Sequence, residues 1–160
     1  MNKKAFQDYY PDHWSLCYGC GRLNKDGLQI KSYWEGEESI CKFTPGPHYI
    51  AIPGYVYGGL LASLIDCHGT GTAAAAIYRS ENRLMDSDPP VRFVTASLHV
   101  DYLKPTPLGI ELELRGRVNE IKGRKVIVNI ELFANSEMTA KGQVVAVMVP
   151  ENAFLAPQSG

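Results

Sequence analysis

The hydrophobic pattern predicts one helix in the middle of the chain. From Gly58 to about Tyr78, Leu60, Leu61, Leu64 and Ile65 fall on one broad helical face, and small residues occupy the other faces. No Lys, Arg or Glu occurs in this stretch. A helix without these surface residues is expected to be packed against other elements on most of its sides.

The second half of the chain shows the pattern of strands. Four strand-like runs cover residues 91–103, 110–118, 125–134 and 140–149, and turns are expected at "KPTPLG", "NEIKG" and "NSEM". The segment "ELELR" alternates strictly, which predicts a sheet with one covered face and one solvated face. These runs therefore predict four consecutive antiparallel strands.

The residues before the helix predict a hairpin. Strand-like runs at "GLQIKSYW" and "SICKFTP" flank the acidic turn "EGEE". Residues 1–22 are expected to form an arm on the domain, and 151–160 a frayed tail. The whole chain, 1–160, is thus predicted to be one α+β domain in which an antiparallel sheet wraps around one long helix. The open edges of such a sheet predict pairing with a second copy.

Composition limits the classes of function. The 160 residues carry a net charge of −1 with no basic run, which argues against nucleic-acid binding. Asp66 and His68 lie within the most apolar stretch, which argues against a membrane span. The N-terminal residues have no apolar run of the secretory type. We therefore expect a cytoplasmic protein with reduced cysteines.

The start of the predicted helix has the features of a site for a polarised carbonyl oxygen. Gly58 and Gly59 place free backbone N–H groups at the positive end of the helix dipole, without Cβ atoms to hinder a ligand. Asp66 follows in the apolar interior, and Thr70 lies on its face, where it could hold a water. The alternative for Asp66 is a structural carboxylate that pairs with His68 or Arg79.

Helix geometry separates the two halves of this candidate site. Eight residues at about 1.5 Å each place Asp66 roughly 12 Å from Gly58 along the axis. One chain therefore cannot bring both groups to the same carbonyl carbon. If both act on one substrate, two copies of the chain must share the site.

Three motifs resemble hotdog-fold acyl-CoA thioesterases of the phenylacetic-acid-degradation (PaaI-like) type. They are Gly54-x-x-Tyr57-Gly58-Gly59 with Asp66, the entry "CYGCGRLNKDGLQI", and the strand and turn "TASLHVDYLKPTPLG". The resemblance covers roughly residues 15–150. It implies hydrolysis of an acyl-CoA thioester by a dimer or a dimer of dimers. The sequence departs from the family pattern at Tyr57, where a His is usual, and at Ala51, where many relatives have Asn.

The resemblance also implies roles for individual residues. Asp66 would be the nucleophile or general base, the Gly58 amide would polarise the carbonyl with Gly59 beside it, and Thr70 would help to position the water. The expected substrate-binding residues, at the acyl group, the thioester or the coenzyme A phosphates, are Tyr57, His48, Lys104 and Arg124. No metal or redox cofactor is expected, because coenzyme A enters only as part of the substrate.

Two other functions remain as alternatives. A non-catalytic acyl-CoA-binding or regulatory protein is suggested by the departures at Tyr57 and Ala51, although Asp66 and Thr70 are retained. A dehydratase or hydratase would need a His base beside an acid, and Tyr57 removes the obvious candidate. Thioester hydrolysis is the leading hypothesis.

The motif Cys17-x-x-Cys20 raises the question of zinc or a redox pair. A structural zinc ion needs four ligands, and the chain has no second C-x-x-C. Cys67 is expected on the buried helix, so only Cys41 with His13 or His48 could complete a site. A loop entering a strand does not have the context of a redox pair. The pair is therefore interpreted as a tight turn, apart from the chemistry.

Overall fold

A computed structural model describes residues 3–154. The protein consists of one six-stranded antiparallel sheet and one long helix, with two short 3₁₀ helices at Phe6–Tyr9 and Asp12–Trp14. The helix α1 spans Gly58–Ser80, two residues beyond its predicted end. The strands are β1 (Ser32–Glu35), β2 (Glu38–Phe43), β3 (Arg92–Tyr102), β4 (Leu112–Lys122), β5 (Lys125–Ala134) and β6 (Glu137–Val149).

The sheet is ordered β1-β2-β4-β5-β6-β3 and wraps around α1. This arrangement confirms the predicted α+β hotdog fold. The chain crosses from β2 to the far edge of the sheet through α1, so β3 becomes an edge strand beside β6. Residues 95–99 of this edge are exposed.

The helix lies close to the sheet because small residues face it. A Cβ atom at Gly69 would lie 2.5 Å from Cγ2 of Val144 in β6, a distance that two carbon atoms do not tolerate. By length and composition α1 could cross a membrane, but 72% of its apolar window is buried inside the protein. This is the usual position of a core helix, as its composition predicted.

A network of polar side chains connects α1 to β1, β2 and the N-terminal segment inside the core. His68 is fully buried, and its Nδ1 and Nε2 atoms lie 2.9 Å from Ser32 Oγ and 3.1 Å from Ser39 Oγ. Ser39 Oγ also lies 2.6 Å from Thr72 Oγ1, and Gln7 donates to Ser32 Oγ at 3.0 Å. Burial lowers the pKa of His68 to about 4. His68 is therefore a hydrogen-bonded residue of the core.

Two predicted boundaries are wrong. The turn expected at "NEIKG" is shorter, because β4 continues to Lys122 through a bulge between Val118 and Glu120 and turns only at positions 123 and 124. The strand expected from Gly27 begins only at Ser32. The residues before it pair instead with the Cys17–Cys20 turn, where Leu28 N donates to Tyr18 O at 2.7 Å.

The ends of the chain are described in part. The expected N-terminal arm is present from residue 3 and packs against the domain, with Ala5, Phe6 and Gln7 buried. At the C-terminus, residues 151–154 form turns. The remainder of the expected frayed tail, 155–160, lies outside the described residues.

Candidate functional site

A cavity of about 290 Å³ lies beside the middle of α1. It is enclosed by three parts of the fold: α1, the start of β3, and the N-terminal segment. Its lining residues are Tyr10, Trp14, Cys17, Cys20, Asp66, Cys67, Thr70, Ala74 and Val91–Thr95.

Asp66 places its carboxylate in the wall of this cavity. It is half-buried, less than the fully interior position that the sequence suggested. Thr95 Oγ1 donates a hydrogen bond of 2.5 Å to Asp66 Oδ1. Burial raises the pKa of Asp66, and the hydrogen bond from Thr95 partly opposes this effect. The carboxylate is thus oriented by β3 and open to a ligand.

The two partners expected for a structural Asp66 do not contact its carboxylate. His68 is bonded within the serine network, on another face of the helix. Arg79 donates to the Gly36 carbonyl at 3.0 Å and stacks on the Trp34 ring at 3.8 Å. In the described part of the chain, neither residue pairs with Asp66.

Thr70 lies in the same cavity, as predicted, but it does not contact the carboxylate. Its hydroxyl donates to the backbone carbonyls of Asp66 and Cys67, both at 3.2 Å. Its oxygen therefore remains available only as an acceptor. Thr95 is the hydroxyl that contacts Asp66, and the sequence analysis did not select it. The signal was present, because Thr95 opens the motif "TASLHVDYL" that was used only to identify a strand.

The helix N-terminus lies outside the cavity. Gly58 is the first residue of α1, after Tyr57 at the N-cap, and neither glycine is among the residues lining the cavity. Tyr102 Oη donates to the Gly58 carbonyl at 2.8 Å. Within residues 3–154, no acceptor is bonded to the Gly58 or Gly59 amides. One chain thus keeps the amides and Asp66 apart, as the helix geometry predicted.

The sequence analysis expected open space for a ligand beside Gly58 and Gly59, but the space beside Gly59 is filled. A Cβ atom at Gly59 would lie 2.3 Å from the phenol of Tyr57, so the ring of Tyr57 occupies the room that the sequence assigned to a ligand. At Gly58 a Cβ would meet only the ring of Tyr102, at 3.4 Å. Tyr57 is 56% exposed, so its ring is free to move when a ligand approaches.

The expected substrate-binding residues fall at two ends of the sheet. His48 stacks on Tyr49 at 4.0 Å, and Tyr57 N donates to Tyr49 O, so His48 belongs to the helix N-terminal end. Lys104 follows β3 at the same end and pairs with Glu137 at 2.5 Å. Arg124 is exposed in the β4–β5 turn, at the opposite end. One chain does not bring these three residues together.

Three cysteines meet in the wall of the cavity. The Sγ atoms of Cys17, Cys20 and Cys67 all lie within 4.8 Å of one another, and those of Cys17 and Cys67 are 3.8 Å apart. The predicted tight turn is present, since Gly21 N donates to Cys17 O at 2.8 Å, but the sequence analysis did not expect Cys67 of the helix to join the pair. Sequence spacing gave no sign of this cluster, because it requires the arm to fold back onto α1. Cys41 lies elsewhere, in β2.

The three thiols influence one another's acidity. The contacts with the thiols of Cys20 and Cys67 lower the pKa of Cys17. The contact with Cys17 raises the pKa of Cys20 and of Cys67, with burial adding to the effect. Cys17 is the exposed member of the three.

Two further cavity residues were missed by the sequence analysis. Trp14 lines the cavity, and its Nε1 is buried without an acceptor among the described residues. Arg92 lies 5.2 Å from the centre of the Trp14 ring and lines the same cavity. A lone Trp in an arm and a lone Arg at a strand start carry no motif that sequence inspection could detect.

Comparison with known proteins agrees with this geometry. The family model described as "Thioesterase superfamily" matches residues 53–141, which include α1, β3, β4 and β5. The chain belongs to the thioesterase superfamily. The match covers Asp66, Thr95 and the helix N-terminus.

Individual superfamily members show both sequence and fold similarity. A thioesterase superfamily protein from Shewanella loihica is 48% identical, with a TM-score of 0.67 over 88% of this chain and 100% of that one. Acyl-coenzyme A thioesterase THEM4 of Xenopus laevis is 30% identical over 131 residues, 79% of this chain and 53% of that protein. The chain spans about half the length of the curated relatives it matches.

The PaaI protein of E. coli shares the fold at greater sequence distance. It is 15% identical, with a TM-score of 0.62 over 77% of this chain and 81% of that one. This likeness supports the hotdog architecture alone. The resemblance to hotdog-fold thioesterases that the three motifs indicated is confirmed.

Proposed function

We propose that this protein hydrolyses an acyl-CoA thioester to a free carboxylic acid and coenzyme A. The observation that carries this proposal is the carboxylate of Asp66, fixed by Thr95 in the wall of a cavity within a thioesterase-superfamily fold. The THEM4 relatives, which are named as acyl-coenzyme A thioesterases, indicate the substrate class.

In the proposed reaction, the thioester carbonyl carbon receives an oxygen nucleophile and the C–S bond breaks. Asp66 acts either by taking a proton from a water or by attacking the carbonyl itself, with later hydrolysis of the anhydride. In both routes the electron pair of the broken bond leaves on the sulfur of coenzyme A. The chemical step uses the carboxylate, water and backbone amides, without a metal ion or redox cofactor.

The carbonyl oxygen is proposed to bind at the Gly58 amide of a second copy. A free N–H at the start of a helix is suited to the negative charge that develops on this oxygen. Since Asp66 and Gly58 of one chain are roughly 12 Å apart along α1, two copies are needed to complete a site. The exposed edge strand β3 carries Thr95, and pairing along this edge would bring a second copy next to Asp66.

The same arrangement accounts for the substrate-binding residues at two ends of one chain. Tyr57, His48 and Lys104 of one copy would stand beside Asp66 of the other. Arg124 belongs to the sheet end where β3 begins, as does Arg92 at the cavity. We propose that Lys104 and Arg124 contact the phosphates of coenzyme A, and that Tyr57 and His48 border the thioester and acyl group.

Thiol release from a panel of short, medium, long and aromatic acyl-CoAs tests this function. The wild type is compared with Asp66→Asn, which keeps the shape and the acceptor for Thr95, and protein-only samples correct for its four cysteines. We expect turnover by the wild type and a loss of at least about 100-fold in the variant. Binding without thiol release would instead support an acyl-CoA-binding protein.

Isotopic labelling separates the two roles of Asp66. After several turnovers in H₂¹⁸O, direct attack by the carboxylate leaves ¹⁸O in the peptide that contains Asp66, provided that water opens the anhydride at the Asp66 carbonyl and releases the acyl group with the original aspartate oxygen. General-base catalysis leaves the label only in the acid product. Mass spectrometry of both molecules distinguishes these outcomes.

A further inference from the structure

We propose that Cys17, Cys20 and Cys67 bind one zinc ion, which ties the N-terminal segment to helix α1 at the wall of the Asp66 cavity. This inference goes beyond thioester hydrolysis and concerns the binding of the ion itself. It rests on the three sulfur atoms, which lie within 4.8 Å of one another although two come from the arm and one from the helix.

The sulfur positions suit a tetrahedral zinc ion. Zinc–sulfur bonds are about 2.3 Å long, so two thiolates of a tetrahedral site lie about 3.8 Å apart. The Sγ atoms of Cys17 and Cys67 have this separation, 3.8 Å. The distances to Cys20 are at most 4.8 Å, which a small side-chain rotation brings into range.

The Cys17–Cys20 turn is tightly closed. Gly21 N donates to Cys17 O at 2.8 Å. A Cβ at Gly21 would lie 2.6 Å from both the Cys17 nitrogen and its carbonyl oxygen, so only glycine fits. This closure keeps the sulfur atoms of Cys17 and Cys20 within 4.8 Å of each other, as two ligands of one ion require.

Backbone hydrogen bonds hold this turn against the helix. Leu28 N donates to Tyr18 O at 2.7 Å, and Ile30 N donates to Gly19 O at 3.2 Å. A Cβ at Gly19 would lie 2.3 Å from Cys67 Sγ, which shows how closely the turn is seated on α1. The fold itself fixes the positions of the three cysteines, which lowers the entropic cost of assembling the site.

The fourth coordination position opens toward the cavity. Among residues 3–154, no further His, Cys, Asp or Glu belongs to this cluster. All three cysteines line the cavity, so a water or another small ligand can reach the ion from it. Zinc sites with three protein ligands and one exchangeable position are known, and they differ from the closed four-ligand structural site that the sequence analysis considered.

The experiment measures metal uptake without substrate, so its result is independent of the proposed hydrolysis. Protein purified in reducing buffer is analysed for zinc, stripped with a chelator and titrated with Zn²⁺ against a chromogenic competitor. Cobalt is then substituted, because its absorption spectrum reports thiolate ligation directly. The variants are Cys17→Ser, at an exposed position that tolerates serine, and Cys67→Ser. The matched control is Cys41→Ser.

We expect one zinc ion per chain, with equal affinity in Cys41→Ser and at least tenfold weaker binding in Cys17→Ser and Cys67→Ser. Zinc should raise the melting temperature of the wild type and the control only, with circular dichroism confirming that every variant is folded. Uptake below a tenth of an equivalent would overturn the proposal. Zinc affinity of Cys17→Ser equal to that of the wild type would also overturn it. So would a protein mass two units below the value for free thiols after purification in reducing buffer, because it would reveal a disulfide bond.

Discussion

The buried His68 predicts a pH dependence of stability that a substitution should remove. In the folded protein its pKa is lowered to about 4 by burial, against the ordinary value of 6.5. The unfolded chain therefore binds a proton between these two pH values that the folded protein does not. This difference makes stability fall as the pH decreases from about 6.5.

The size of the effect follows from the two pKa values. One pKa unit corresponds to about 1.4 kcal/mol, so the full loss is about 3 kcal/mol and is complete below pH 4. Between pH 7 and pH 5 the loss is about 2 kcal/mol. This is a large part of the 5–15 kcal/mol that stabilises an ordinary domain.

Urea unfolding at several pH values measures this loss. The wild type is compared with His68→Gln, which has no titrating group, and with His99→Gln, which removes an exposed histidine. The contributions of the other titrating groups cancel in the difference between the free energies of unfolding of the wild type and His68→Gln. We expect it to shrink by about 2 kcal/mol from pH 7 to pH 5, with no such change for His99→Gln. A constant difference would show that His68 accepts a proton in the folded state and would refute this reasoning.

Three other predictions concern the site and the helix. Thr95→Val should lower kcat by about tenfold or more, because it removes the hydrogen bond to Asp66. Thr95→Ser should keep most of the activity. Steady-state kinetics measures kcat for both variants. Gly69→Ala should destabilise the protein by about 1–3 kcal/mol through its clash with Val144, while Gly58→Ala has room and should cost less than 1 kcal/mol; equal melting temperatures would contradict this. Gly58→Pro removes the amide hydrogen at the first helical position, where proline fits, and should reduce kcat by about 100-fold relative to Gly58→Ala.

The fold could be predicted because its main signals are local. The stretch from Gly58 without Lys, Arg or Glu required a covered helix, and the alternation around Leu112 and Leu114 required a sheet with one buried face. The boundaries that failed depend on non-local pairing. Ser32 begins β1 only because the residues before it are already bonded to the cysteine turn.

The part of the candidate site that lies on α1 was predictable from the sequence. The part that the arm and β3 contribute was much less predictable. Asp66 and the two glycines share one element, so their separation followed from the helical rise alone. Thr95, Trp14 and the meeting of Cys17 with Cys67 depend on how the arm and β3 pack on α1. The Thr95–Asp66 and Cys17–Cys67 contacts join residues 29 and 50 positions apart, and spacing along the chain does not encode them.

Complementation between two inactive variants tests the central claim, that each site takes Asp66 from one copy and the Gly58 amide from another. Asp66→Asn and Gly58→Pro are unfolded together in equal amounts, refolded, and assayed for thiol release. Random pairing makes half of the dimers mixed, and each mixed dimer has one of its two sites intact. If the site is shared between two copies, the refolded mixture should have about a quarter of the wild-type activity. Activity that stays at the level of the separate variants would contradict a shared site.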